Sequence, residues 1–321
     1  MEKGINNLIT DVEGVRVGHF TLSKNDIQTG VTVIMPGHDN MFQNKMIAAS
    51  HVINGFGKTT GLIQLDELGT LESPIALTNT LSVGTVQQAL VKYMLSIDET
   101  IGDTNGTVNV IVGECNDGYL NDIRQCIIQE EHVYKAIENA STHFQQGDVG
   151  AGKGMSCFQM KGGIGSASRI INIDNHKYTV GVLVLSNFGL YDDFIYKNDS
   201  LTQSTDIEKG SIIMIIATDI PMTSRQLKRV CKRMSVPLSR LGSHLGNGSG
   251  DIAIAFSTAQ SIPNHSSTLL SIKAVPENHM DMIFRAAIEA CEESVMNSLK
   301  HAHTVKGRNG NVRYSYHDMK K

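Results

Sequence analysis

The sequence predicts a mixed α/β (α+β) protein in which sheets pack on one another and helices cover them. Two observations lead there. Apolar runs rich in Val and Ile alternate with Gly-rich loops and with stretches of helical spacing. Several of those runs are apolar at nearly every position, so they do not fit a sheet with one face in water. The chain has 321 residues, 40% hydrophobic and 19% charged, which suits one packed domain over 1–321.

In order along the chain, "VRVGHF" (15–20) and "GVTVIMP" (30–36) read as strands. "SVGTVQQALVKYMLS" (82–96) reads as a helix, "TVNVIVGEC" (107–115) as a strand and "EHVYKAIENASTHF" (131–144) as a helix. Two further strands follow, "YTVGVLVLSNFG" (178–189) and "SIIMIIATDI" (211–220). Between them, 190–209 is polar and reads as a surface excursion. "TSRQLKRVCKRMS" (223–235) is helical in pattern, and "DIAIAFSTA" (251–259) is another strand. From about Met280 to His303, Phe284, Ile288, Cys291, Val295 and Leu299 recur every three or four residues, the stripe of an amphipathic helix. The tail from Val305 is polar and basic, the composition of a partly mobile end. No repeat, low-complexity tract or linker interrupts the pattern.

Composition excludes several classes. A net charge of −4 gives no reason to expect a nucleic-acid partner, and the basic run 224–235 reads as a solvated helix face. Cys115, Cys126, Cys157, Cys231 and Cys291 are odd in number and widely spaced, with no CxxC. That argues against a disulfide framework and a zinc site, and for a reducing cytoplasm. The opening "MEKGINNLITDVEG" has no apolar run of signal-peptide type, and no segment approaches the ~20 apolar residues of a membrane span. "GFGKTT" (55–60) lacks the first P-loop glycine, its place being taken by Val52. In "GAGKGMS", Gly154 stands where Ser or Thr should follow the lysine. The histidines show neither HExxH nor a paired-ligand spacing, and no GxSxG elbow surrounds Ser249.

The stretch "LGSHLGNGSGDIAIAFSTA" (241–259) raises the sharpest question. Gly246, Gly248 and Gly250 leave the backbone around Ser249 nearly bare. A Gly-rich hairpin turn explains this, and composition alone favours that reading. The other reading is a peptide bond built to be cut. Cleavage between Gly248 and Ser249 would give Ser249 a free α-amine of pKa about 7.7–8.0, able to accept its own hydroxyl proton. "GECNDGYLND" (113–122) and "SNFG" (186–189) place further polar groups at strand ends, where turns and sites are both common.

Taken together, the motifs resemble the family of L-aminopeptidase/D-esterases and β-aminopeptidases, self-cleaving N-terminal-nucleophile hydrolases of the ornithine acetyltransferase superfamily. "ITDVEGVRVGH", "NGFGKTTGLIQLDELGTLESPIALTNTLSVG", "ECNDGYLNDI", "GDVGAGKGMSCFQMKGGIGSASR", "GVLVLSNFG", "ATDIPMTSRQLKR", "GSGDIAIAFSTA" and "ACEESVMNSL" follow in family order over nearly the whole chain. The resemblance implies a four-layer α/β/β/α sandwich and autoproteolysis at Gly248–Ser249 into an α-chain of 1–248 and a β-chain of 249–321. It implies Ser249 as nucleophile and Asn187 as an oxyanion donor, joined by a backbone N–H near Leu120. Each such donor is worth ~3 kcal/mol of barrier. Tyr119 matches the family's active-site tyrosine. The family's Ser-x-Glu pair maps onto "CEE", with Glu293 as the acid and Cys291 in place of Ser, while Glu289 and Glu292 compete. Positions 291 and 293 lie about 200° apart on an ideal helix, so Cys291 reads equally as core.

The expected function is a self-processing serine aminopeptidase or amidase-esterase acting on small peptides, amides or esters. It needs no metal or cofactor. Glu114 or Asp117 could pair with the substrate ammonium, and a structural turn role serves them equally. The resemblance also implies a symmetric homo-oligomer, often a tetramer. Two alternatives stay open: an acyltransferase of the ornithine acetyltransferase type, whose nucleophile is Thr rather than Ser, and an uncut binding protein on the same fold.

Overall fold

The computed structural model describes residues 1–37, 40–197 and 209–320. In chain order the first elements are β1 (Arg16–Lys24), β2 (Ile27–Met35), β3 (Asn44–Gly55), α1 (Leu62–Leu68), β4 (Thr70–Leu71), β5 (Ile75–Asn79), α2 (Val83–Ile97), β6 (Ile111–Cys115) and α3 (Glu130–Glu138). Then come β7 (Ser156–Cys157), β8 (Met160–Lys161), β9 (Gly163–Ile173), β10 (His176–Asn187) and β11 (Lys209–Thr218). The last are α4 (Ser224–Cys231), α5 (Ser235–Leu241), β12 (Gly248–Pro263), α6 (Met280–Lys300), β13 (Val305–Lys306) and β14 (Val312–Arg313).

Two sheets carry the fold. One has the order β1-β2-β5-β6, the other β4-β3-β12-β11-β10-β9. Pairing is antiparallel except for β5–β6 and β11–β12. The sheets meet face to face through Ile34, Leu77, Leu183, Ile213, Ile254 and Phe256, all buried. α4, α5 and α6 cover the outer face of the larger sheet through Leu227, Leu238, Ala287 and Val295. α2 and α3 cover the smaller sheet through Val86, Leu90 and Val133. The layers therefore run α/β/β/α, the sandwich that the sequence resemblance implies.

This burial explains the unbroken apolar run of β11. Ile212, Met214 and Ile216 face the helices, while Ile213 and Ile215 face the other sheet. The turn Asp174–Asn175 joins β9 to β10 with φ of 49° and 64°, the left-handed pair that a two-residue hairpin needs. Thr223 caps α4 in a capping box with Gln226, each side chain bonded to the other's backbone N–H. α6 lies so close to β9 that a Cβ on Gly165 would fall 1.9 Å from the Ser294 carbonyl oxygen.

Several sequence expectations change. The helix expected over 131–144 ends at Glu138, because Ser141 and Val17 exchange backbone hydrogen bonds at 3.0 and 3.1 Å along β1. The strand expected over 107–115 begins only at Ile111. The helix expected over 223–235 is α4 alone, with α5 beginning at Ser235. The surface excursion expected over 190–209 lies largely outside the described residues. The tail expected to be mobile is anchored: β13 pairs with β14, and Tyr316 is buried against the aromatic ring of Phe194. Among the described residues no helix is long and apolar enough to cross a membrane.

Candidate active site

β12 enters the larger sheet at Gly248, between β11 and β3. Ser249 stands beside Gly210, and Gly250 is matched to Ser211 on one side and Gly55 on the other. Ser249 is 1% exposed. Its N–H donates to the Gly246 carbonyl at 3.0 Å, and its carbonyl accepts from the Phe56 N–H at 3.2 Å. Its hydroxyl donates to Asp251 Oδ1 at 2.6 Å. Both backbone groups and the hydroxyl of Ser249 are therefore held in one geometry.

Gly248 lines a cleft of ≈ 800 Å3. Asn187, Glu114, Tyr119, Ser156, Ser211 and Arg313 line it too. Asn187 closes β10, level with Ser211. Its Oδ1 accepts from the Ser156 N–H at 2.8 Å, and its Nδ2 donates to the Asn116 carbonyl at 3.1 Å. Those two bonds fix the amide's orientation and leave one Nδ2 hydrogen uncommitted to these partners. A Cβ on Gly210 would lie 2.2 Å from the Asn187 carbonyl oxygen, so β11 reaches the site only as glycine there.

The segment leading into β7 and Ser156 is held by a buried lysine. Lys161 is wholly buried, and its ammonium donates to the carbonyls of Gly152, Met155 and Gly162 at 2.9, 2.8 and 2.6 Å. Three donors meet three acceptors, which satisfies the buried group. Burial nonetheless pushes its pKa down to about 7.

Glu114 is the penultimate residue of β6 and is 3% exposed. Its carboxylate accepts from the Lys58 N–H at 2.8 Å and from the Thr80 hydroxyl. Asp117 lies elsewhere. It is buried against Gly154, with Oδ1 accepting from Asn121 Nδ2 at 3.0 Å, and burial pushes its carboxyl up to about 7. Of the two candidates for a substrate ammonium, only Glu114 lines the cleft.

Two expected site groups are engaged otherwise. The Leu120 N–H donates to the Asp117 carbonyl at 3.1 Å, inside a turn. Tyr119, its neighbour, does line the cleft, under the Arg313 guanidinium at 3.7 Å from the ring centroid. Cys291 and Glu293 do not line the cleft. Glu293 pairs with Arg169 at 2.7 Å and with Lys3, and accepts from Asn7 at 2.9 Å. Burial alone would raise its pKa; those hydrogen bonds outweigh it and hold the carboxyl below its usual range. Cys291 is wholly buried in the core under α6, where burial pushes the thiol up. The two side chains point apart, as their 200° separation requires.

The acid beside Ser249 is Asp251, which the motifs did not single out. The signal was present: residues two apart on a strand share a face. Arg313 was missed because it sits in the segment read as a mobile tail, and Ser156 because "GAGKGMS" was weighed only as a phosphate loop. Among the described residues no cluster of His, Cys, Asp or Glu could hold a metal ion.

Comparison with known proteins agrees with this architecture. The sequence profile of peptidase family S58 matches residues 7–313. The β-peptidyl aminopeptidase BapA of Sphingosinicella microcystinivorans is 36% identical, over 96% of this chain and 84% of its own length. The crystal structure of the PH0078 protein from Pyrococcus horikoshii OT3 superposes with a TM-score of 0.92 at 48% identity, covering 98% of this chain and 92% of that one. The L-aminopeptidase D-Ala-esterase/amidase of Ochrobactrum anthropi, described as a variant of the Ntn hydrolase fold, gives 0.90 at 32% identity, covering 99% and 93%. With the profile running almost end to end and the sandwich shared, the chain belongs to peptidase family S58 and is a hydrolase of the N-terminal-nucleophile type.

Proposed function

We propose that this protein is a serine aminopeptidase and amidase that first cuts itself between Gly248 and Ser249. The observation that carries the reading is the Ser249 hydroxyl bonded to Asp251 at 2.6 Å, one residue from the cleft-lining Gly248.

In the uncut chain the nitrogen of Ser249 is an amide and cannot serve as a base. Asp251 takes that role. It accepts the hydroxyl proton, and Ser249 Oγ attacks the Gly248 carbonyl carbon. The amide nitrogen leaves as an amine, taking a proton back, and Gly248 is left as an ester on Ser249 Oγ. Water hydrolyses the ester, giving chains 1–248 and 249–321. The new α-amine of Ser249 then acts as base towards substrate.

In turnover that amine accepts the hydroxyl proton while Oγ attacks the scissile carbonyl. Asn187 Nδ2 donates to the oxyanion as it develops. The ammonium of Ser249 protonates the leaving group, and water releases the acyl product. Glu114 takes the substrate's ammonium, since its carboxylate is nearly buried and its recorded partners, Lys58 N–H and the Thr80 hydroxyl, are uncharged. The relatives' names, a β-peptidyl aminopeptidase and an L-aminopeptidase, support small substrates with a free amine, and a cleft of ≈ 800 Å3 suits that size.

Intact mass under denaturing conditions tests the reading. Two fragments, the smaller beginning at Ser249, are expected from the wild type and one chain from Ser249→Ala. A wild type that stays whole sinks the proposal and leaves a binding protein.

A further inference from the structure

Arg313 is a half-buried cation that the proposed chemistry does not use. Its Nε donates to Ser156 Oγ at 3.1 Å, and its guanidinium carbon stacks on Tyr119 at 3.7 Å from the ring centroid. These two contacts fix the plane of the fork. Among the described residues no Asp or Glu pairs with it, and its remaining N–H groups find no acceptor there. A partly desolvated guanidinium with a fixed plane and no counter-ion is a receptor for a planar anion, above all a carboxylate, which it can bind through two parallel hydrogen bonds.

The same cleft holds Glu114, an anion without a cationic partner among the described residues. Beside that anion the cleft is lined by two cations, Arg313 and Lys58, whose ammonium lies 4.5 Å from the Phe56 ring centroid; of the two only Arg313 offers a planar fork. The roles of Glu114 and Arg313 differ by connectivity. Glu114 sits near the end of β6, whereas Arg313 is joined through Ser156 to Asn187, the oxyanion donor. We infer that Arg313 binds the free C-terminal carboxylate of the substrate, so that the preferred substrates are short zwitterionic peptides, dipeptides first, rather than amides or blocked peptides. An extended dipeptide spans about 7 Å between its charged ends, the separation that Glu114 and Arg313 would have to bridge. The inference rests on the aminopeptidase reading for which end of the peptide is cut, but the anion site stands on Arg313 alone.

The test uses the full-length Ser249→Ala chain, which keeps the uncut form and cannot turn substrate over. Calorimetric titration compares L-alanyl-L-alanine with L-alanyl-L-alaninamide, which differ in the C-terminal charge. The dipeptide is expected to bind about 10-fold tighter, the value of a charge-assisted pair. Arg313→Met in the same chain should abolish that preference while changing affinity for the amide less than about 2-fold; Arg313→Lys, which keeps the charge but not the fork, should retain part of it. Equal affinities before substitution, no measurable binding of the dipeptide, or a preference that survives Arg313→Met overturns the inference.

In the processed enzyme, Arg313→Met should lower kcat/KM for the dipeptide about 10-fold more than for the amide. An equal fall for both would mean that Arg313 acts through Ser156 on Asn187, and would overturn the carboxylate site. A wild type that stays uncut yet binds the dipeptide through Arg313 keeps the anion site and sinks the aminopeptidase reading instead.

Discussion

Replacing Asp251 by Asn keeps a hydrogen-bonding group beside the Ser249 hydroxyl but removes the proton acceptor. Self-cleavage should then slow about 100-fold or more, followed as the disappearance of full-length mass with time. Processing at the wild-type rate would remove Asp251 from the step. Asn187→Ala removes the side-chain donor whose amide Ser156 orients. In processed enzyme kcat should fall about 10²–10³-fold with little change in KM, the pattern of an interaction made only in the transition state. At this scale the sequence was informative where a motif is contiguous: Gly248, Asn187, Tyr119 and Glu114 all line one cleft. It could not place Glu293, because three acids crowd one helix turn and nothing local says which direction each faces. The ion pair with Arg169, 124 positions away in the chain, decides that.

The helix α6 and the strand β9 show what small residues do for an element. Gly165 admits the Ser294 carbonyl, so Gly165→Ala forces the helix outward or the sheet to bend. A loss of about 1–3 kcal/mol is expected, read from urea midpoints at constant slope. An unchanged midpoint would mean that the helix shifts freely. The same closeness hid β9 from the sequence: "GIGSASRIINI" is rich in Gly and Ser, which lowers its strand signal, because the packing against α6 needs small side chains. β11 was legible for the opposite reason, being apolar on both faces. The tail was misread because its polar composition says nothing of β14, whose Arg313 is held by Tyr119 and Ser156. Short elements that lean on distant residues leave no periodic trace.

For the whole molecule, Asp117 makes stability depend on pH. Its folded pKa of about 7 lies above its ordinary 3.8, so the folded state holds the extra proton between those values. The contribution is fully present below about 4 and is lost as pH rises through about 7, at up to ~1.4 kcal/mol per pH unit. Asp117→Asn should flatten that fall in urea titrations across the range; identical slopes would show that Asp117 does not titrate as stated. Self-cleavage should leave the assembly intact, because β12 lies between β3 and β11 in mid-sheet. Native mass should be the same before and after cutting, with the pieces parting only in denaturant. The anchored tail has a further consequence for biosynthesis. Arg313 is 64 positions beyond the proposed nucleophile, so it leaves the ribosome well after Ser249 does. A nascent chain therefore presents Ser249 before the cleft beside it is finished, and the choice of substrate is set after the nucleophile has emerged.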